Sequence, residues 1–384
     1  MIVAKFLSWI ETAPVDRRAE ATSALARAYL YSPLDESEKA AAETALTILL
    51  DDPAPIVREA LAQALKQSPY APRPVILSLV QDIDAVAIPV IARSPVLLDS
   101  ELVDMVADRG TLVQCAVASR PSVSPALCAA MSEVADAEAC CVMLENPGAQ
   151  IAVFSLRRLA ERFGQMPTVR NMLLSLDGLP IDIRQMLIVR LGDALKQLSL
   201  VQSFFNSERR SSLVKDACDK ATVDLASCCA HGDELEALVE HLRLSGQLTA
   251  DLLIRSLCMG NVEMFVMALV SLTDLSEKRV RACVVDPSEA LVNTLCKKSG
   301  ISSRVAPVIY SALQAYVELG SCLDEGMPRS RFGRIMVERI LSDYNDFAED
   351  ELDDLLALLR RFATQIARDE ARALSARLKQ VTAA

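Results

Sequence analysis

The chain has 384 residues, 52% of them hydrophobic and only 4% aromatic, and it carries a formal charge of −11 with a pI near 4.9. Net negative charge opposes a polyanionic partner, and neither a basic stripe nor aromatic stacking platforms stand out, so nucleic acid is disfavoured as a partner. The longest apolar run, Ala85 to Ala92, contains Pro89 and falls far short of the roughly twenty residues that span a bilayer, which excludes a membrane span.

Few stretches alternate as strands do, and the chain is rich in Ala and Leu with only 12 glycines, so the expected class is all-α. The length is large for one core but ordinary for a repeat array. Eleven cysteines make an odd number, none lies in a CxxC pair, and most sit in apolar helical runs. A reduced, cytoplasmic chain is expected, with Cys115, Cys128, Cys140, Cys141, Cys258, Cys283 and Cys296 as small core residues.

The chain opens with MIVAKFLSWIETAPVDRR, where Ile2, Phe6, Trp9 and Ile10 recur at helical spacing with Lys5 inside the run. This reads as an amphipathic capping helix rather than a targeting signal. Asp51 to Leu65, DDPAPIVREALAQAL, predicts a helix from Pro55: Asp51 or Asp52 can take up the first free amides, and proline suits a first turn. Ile56, Val57, Ala60, Leu61, Ala64 and Leu65 form the stripe expected to bury. The order Asp, Pro, Val57-Arg58, Ala60, Leu65 resembles the HEAT-repeat pattern, and that resemblance implies that Asp52 and Arg58 belong to a structural ladder along the stack.

Prolines 69, 95, 121 and 147 then recur every 26 residues, each closing an apolar helical run: LKQSP, IARSP, VASRP, MLENP. Between them fit helical hairpins: Val75 to Asp82 with Ala85 to Arg93, Ser100 to Asp108 with Thr111 to Ser119, Pro125 to Val134 with Glu138 to Glu145. The expected fold is therefore a HEAT-like α-solenoid of short antiparallel hairpins. From Leu97 to Phe163, with its ASRP and LENP helix ends, and again from Leu242 to Pro287, the chain resembles an uncharacterised alphaproteobacterial family of helical-repeat proteins. The resemblance implies fold and an interaction role, with no assigned reaction.

A helix from Gly148 to Phe163 is closed by Gly164 as a C′ residue, and Gly164 to Thr168 is a candidate boundary. It divides an N-terminal array, residues 1–164, from a C-terminal all-helical region, residues 165–384. Val169-Arg170 and Ile183-Arg184 echo Val57-Arg58, so the array is expected to continue past it. FFNSERRSS, Phe204 to Ser212, is a polar break. Helices follow over Leu213–Ala230, Asp233–Arg243, Thr249–Met259, Val262–Leu272 and Ser276–Val285, then one opened by Asp286-Pro287 and closed by Gly300, and one over Arg331–Asp343. The last, Glu349 to Gln380, has acidic first turns (Glu349, Asp350, Glu351, Asp353, Asp354) and Arg372, Arg377 and Lys379 in its last, as the helix dipole favours. Its seam of Leu352, Leu355, Leu359, Phe362 and Ile366 either caps the array or pairs with a second copy as a homodimer.

Chemistry is sparse. Cys228, His231 and His241 can be drawn as zinc ligands, but structural zinc sites pair their ligands at both ends, and Ala230-His231-Gly232 reads as a helix terminus, so no metal and no cofactor is expected. Adjacent Cys140-Cys141 and Cys228-Cys229 point to different parts of a helix surface. No GxSxG, HExxH, phosphate-loop or dinucleotide fingerprint is present. Arg93, Arg109, Arg120, Arg157, Arg158 and Arg162 recur near helix ends; they either form a strip that recognises an acidic segment or cap carbonyls in solvated helix ends. The expected function is a non-enzymatic scaffold or regulatory adaptor that binds another protein or a peptide segment. A helical small-molecule sensor with a pocket near Gly232 to Gly260 is the alternative, and an enzyme of HEAT-like fold is third.

Overall fold

The computed structural model describes residues 6, 8–229, 232–324, 327–344 and 353–382. Among them the fold is all-α, without strands; the only β pairing is a bridge between Val123 and Ala149. The chain forms two compact units, Met1–Leu179 and Pro180–Ala384.

In the first unit the helices are α1 (Val15–Tyr31), α2 (Glu36–Ile48), α3 (Pro55–Leu65), α4 (Arg73–Val80), α5 (Asp84–Arg93), α6 (Asp99–Asp108), α7 (Thr111–Ala118), α8 (Pro125–Val134), α9 (Ala137–Glu145), α10 (Val153–Phe163) and α11 (Pro167–Leu174). Odd-numbered helices pack in sequence, α1 on α3, α3 on α5, and so on to α11, while α6, α8 and α10 pack in a second row. Hairpins stacked this way run every second helix in the same direction, so each row has an amino edge and a carboxyl edge. The Gly164–Thr168 segment lies inside this unit, because α11 packs back on α9 and α10. Gly164 is right-handed, at φ −59°, and caps α10 without the left-handed turn expected of a C′ glycine.

Arginine and aspartate tie the amino edge of the odd row together. Arg18 of α1 grips Asp52 with two 2.9 Å bonds, and Asp52 also accepts from the Ala54 amide at 2.8 Å, which starts α3. Arg58 of α3 grips Asp82, just before α5, at 2.5 and 2.9 Å and donates to the Asp52 carbonyl at 2.6 Å. Asp52 and Arg58 are thus both rungs, though each pairs with a neighbour and not with the other's carboxylate or guanidinium. Arg170 does not extend the ladder; buried, it donates to the carbonyls of Gly164 and Gln165 in its own loop. Within α3 the buried side is Val57, Leu61, Ala62 and Leu65, whereas Ile56, expected to bury, is 55% exposed.

The second unit comprises α12 (Ile181–Gln197), α13 (Ser199–Phe204), α14 (Ser207–Cys228), α15 (Gly232–Leu244), α16 (Ala250–Cys258), α17 (Val262–Thr273), α18 (Glu277–Val285), α19 (Glu289–Lys298), α20 (Ala306–Asp324), α21 (Arg329–Tyr344) and α22 (Asp353–Thr382). Its organising element is α16, whose residues Leu252 to Cys258 are all buried and which packs on α14, α17, α20, α21 and α22. A helix apolar nearly all round belongs in a core. Leu359, Phe362 and Ile366 of α22 are buried in the same core. These three side chains of the seam therefore pack within their own unit, as the capping expectation has it, while the side chain of Leu355 lies outside the described residues. Glu349, Asp350, Glu351 and Leu352 lie outside the described residues, as do Ile2, Lys5 and His231. No helix among the described residues is long and apolar enough to cross a membrane.

Two outcomes follow from the first unit. The Arg58 guanidinium holds the Asp82 carboxyl below its ordinary range by hydrogen bonding, against the opposing pull of burial. A depressed carboxyl contributes stability that is present above its unfolded pKa, about 4, and lost as pH falls through the folded value. Arg58→Ala is expected to cost about 2 kcal/mol at neutral pH in urea unfolding, with the deficit shrinking below about pH 4; a deficit independent of pH would contradict the pairing. Gly148 faces the Pro121 carbonyl so closely that an added Cβ would stand 2.1 Å from its oxygen. Gly148→Ala should therefore destabilise by about 1–3 kcal/mol, and a melt within about 0.5 kcal/mol of the wild type would refute the close approach.

Candidate functional site

The arginines singled out in the sequence divide between the two rows of the first unit. Arg120, just past α7, turns its guanidinium onto the last carbonyls of α5: it donates to Ile91 and, at 2.8 Å, to Ser94. Burial pushes its pKa down, and no carboxylate is among its hydrogen-bond partners. Arg162 of α10 does the same to α8, donating to the carbonyls of Ser132 at 2.7 Å and Ala135 at 3.0 Å. Arg158, one turn earlier, bonds Glu133 at 2.8 Å and Glu161 at 3.3 Å. Arg157 is exposed on α10, Arg93 is exposed in the last turn of α5, and half-buried Arg109 offers its carbonyl to Gln114 at 3.3 Å. For Arg120 and Arg162, carbonyl capping is what the side chains do.

Those caps belong to a wider rule. The residues before the last two prolines of the 26-residue series serve the preceding turn: Asn146 donates to the carbonyls of Ala118 and Arg120 at 2.6 and 2.7 Å, as Arg120 does to Ser94. Both of these donors thus reach the equivalent residue 26 positions back. Asn146 also accepts from the Gly148 amide, as Ser94 does from Val96 and Ser68 from Tyr70, fixing the turn that follows each proline. Gln114 works across the other hairpin turns, donating to the Val106 carbonyl and accepting from the Asp136 amide.

With these polar groups engaged inside the stack, the most regular exposed feature is apolar. Val15 in α1, Ile56 in α3, Ile83 before α5, Leu112 in α7 and Met166 before α11 all sit at the start of an odd-row helix, and all are 38–64% exposed. In α9 the place is taken by Glu138, which is exposed. Parallel neighbours about 8–10 Å apart bring these residues to the amino edge of the row that also carries the arginine–aspartate ladder, Ile83 and Met166 as N-caps, Val15 as the first and Ile56 and Leu112 as the second helical residue. Single exposed apolar residues are ordinary, but five of the six odd-row helices carry one within one residue of their first helical residue. The sequence signal was there, an apolar residue next to each helix start, but in α3 it was absorbed into the buried stripe.

In the second unit, an open groove of about 460 Å³ runs between α15 and α17, with Val239, Met267 and Val270 on its floor and Asp233, Glu236 and Glu240 at its rim. It falls in the Gly232–Gly260 neighbourhood named for a sensor pocket. Glu240 is tied to Arg243 and Ser271. His241 contacts the Gln185 side chain at 3.1 Å, and Cys228 is exposed. The described residues contain no group of three or more His, Cys, Asp or Glu placed to hold a metal ion. The cysteines listed as core residues divide: Cys128, Cys140, Cys258 and Cys296 are buried, while Cys115, Cys141 and Cys283 are partly exposed. Burial pushes the Cys128 thiol up to about 11 and those of Cys140 and Cys258 up to about 12, which leaves all three unreactive at neutral pH.

No curated protein and no solved structure matches the chain. A family model described as "Uncharacterised protein conserved in bacteria (DUF2336)" matches residues 86–350, which begin in α5 and take in most of the second unit. That match covers more than half of the sequence, and the chain belongs to this bacterial family.

Proposed function

We propose that the protein is a non-enzymatic interaction scaffold, a HEAT-like α-solenoid of the cytoplasm whose first unit docks a segment of another protein along the amino edge of its odd row. The observation that carries this reading is that Ile56, Ile83 and Leu112 are all exposed, each within one residue of the first helical residue of three successive odd-row helices. A partner segment with apolar residues at matching intervals can bury all three, each contributing about 1 kcal/mol or more on removal from water. The adjoining rungs are satisfied internally, so such contact would cost little desolvation of charge. Recognition would be by shape and apolar area, with the rigid ladder holding the side chains in place before binding. A peptide bound across three helices also reports their spacing, which suits an adaptor whose output is the position of its partner.

The test compares partners cross-linked in the native cytoplasm to wild type, to Ile83→Ser/Leu112→Ser and to the control Leu244→Ser, an exposed apolar residue of the other unit. The reading expects one or two recurrent partners with wild type and with the control, reduced tenfold or more with the double variant, at unchanged melting temperature. Equal recovery on all three chains would overturn it.

A further inference from the structure

One helix of the second unit gathers positive charge in an otherwise acidic protein. Arg360, Arg361, Arg368 and Arg372 of α22 line an open cleft of about 390 Å³ against α14, together with Asp216 and Asp369. The two carboxylates offset Arg361 and Arg372 in part and leave the other two arginines without a partner carboxylate among the described residues. Asp216 holds Arg361 at 3.1 Å and faces Arg255 at 4.0 Å, while Asp369 holds Lys220 and, at 3.6 Å, Arg372. No ion pair among the described residues engages Arg360 or Arg368. Arg368 and Arg372 are also one turn apart, a like-charge spacing that destabilises a helix.

Beneath the cleft lies a second source of positive potential. Arg255 of α16 is only 4% exposed, stacks 3.7 Å over the Phe362 ring and donates to Gln365, a cleft residue, at 3.1 Å. Its Nε and Nη2 have no hydrogen-bond acceptor. A buried guanidinium with unmatched donors is costly; Asp216, Asp219 and Asp224 offset part of its charge, and its two unmet donors stay beside the cleft. The charge of Arg360 and Arg368 beside the two paired arginines has no structural benefit in the unit itself, and an anion in the cleft would relieve it.

We propose that this cleft binds a small phosphate-bearing molecule with two or three linked phosphates. The volume falls in the range of small-ligand sites. At 1.5 Å rise per residue, Arg361, Arg368 and Arg372 are spread over about 16 Å of helix, too far for one phosphate and suited to a short chain of them. Guanidinium forks match phosphate oxygens bidentately. Phosphate also carries more charge per volume than a carboxylate side chain, which favours it over an acidic peptide where Asp216 and Asp369 remain in the wall. The cleft has no aromatic platform in its lining, which disfavours single-stranded nucleic acid.

The experiment is calorimetric titration of the full chain with sodium tripolyphosphate and with pyrophosphate at physiological ionic strength. Saturable one-to-one binding is expected, weakened about tenfold for each arginine removed in Arg360→Gln and Arg368→Gln, and about a hundredfold in the double variant. Neither residue has an ion pair to lose among the described residues, and circular dichroism and melting of the variants should match wild type. Arg281→Gln, which removes an arginine of α18 paired with Glu263 on α17 and Glu277 on α18, should leave affinity unchanged. Absence of saturable binding, equal affinity in the double variant, or tighter binding of a poly-glutamate peptide than of tripolyphosphate would each overturn the proposal.

Discussion

Short helices have proportionately many ends, and every end leaves backbone groups without partners. An eight-residue helix such as α7 has four carbonyls with no acceptor role inside it, about half of all it carries. The first unit is built almost entirely of such pieces, so the supply of donors at helix ends governs how it can be assembled. The solution is a donor from the next unit along: Arg120 for α5, Asn146 for α7, Arg162 for α8. Because each donor comes from a neighbour, satisfying a helix end and fixing the spacing between neighbours are one and the same event. Polar side chains near helix ends are therefore engaged within the stack, and the regular surface left over is apolar.

The second unit meets the same requirement by other means. Its longer helices, such as α14, α20 and α22, have fewer ends per residue and share one continuous core around α16. Charge there is concentrated where α14, α16 and α22 meet, and Arg255 shows the cost: it keeps its charge in the core by stacking on Phe362 and bonding Gln365, with two donors unmet. The first unit distributes its guanidiniums singly, one to a turn. The second collects them.

Much of the first unit was legible in the sequence, since the proline interval of 26 residues marks the hairpins and the Asp–Pro–Val–Arg order marks the ladder. What could not be read was direction. Arg120 and Arg158 look alike in sequence, yet one turns inward to carbonyls and the other outward to glutamates, a choice set by where the neighbouring helix ends. Ile56 shows the same limit, for it differs from Val57 by one position and 100° of helix, which puts it in solvent. In the second unit, α20 carries no clear amphipathic period and gave no expectation, because much of it is wrapped by other helices; Ala306, Ile309, Ala312 and Leu313 are all buried. The cleft on α22 was hidden for another reason. Arg360, Arg361 and Arg368 are unremarkable on one helix, and only the packing of α14 and α16 makes a common site of them.

The rungs linking Asn146 to Arg120 and Arg120 to Ser94, each 26 positions back, bear on how chain length can vary in such a protein. A deletion or insertion of a few residues within a hairpin would leave a donor facing the wrong carbonyl and a helix end bare. Loss or gain of one whole hairpin would bring the next donor to an equivalent acceptor, with Ser, Arg and Asn already standing at that place in successive turns. Variation by complete turns is thus the form of length change that the hydrogen bonding tolerates.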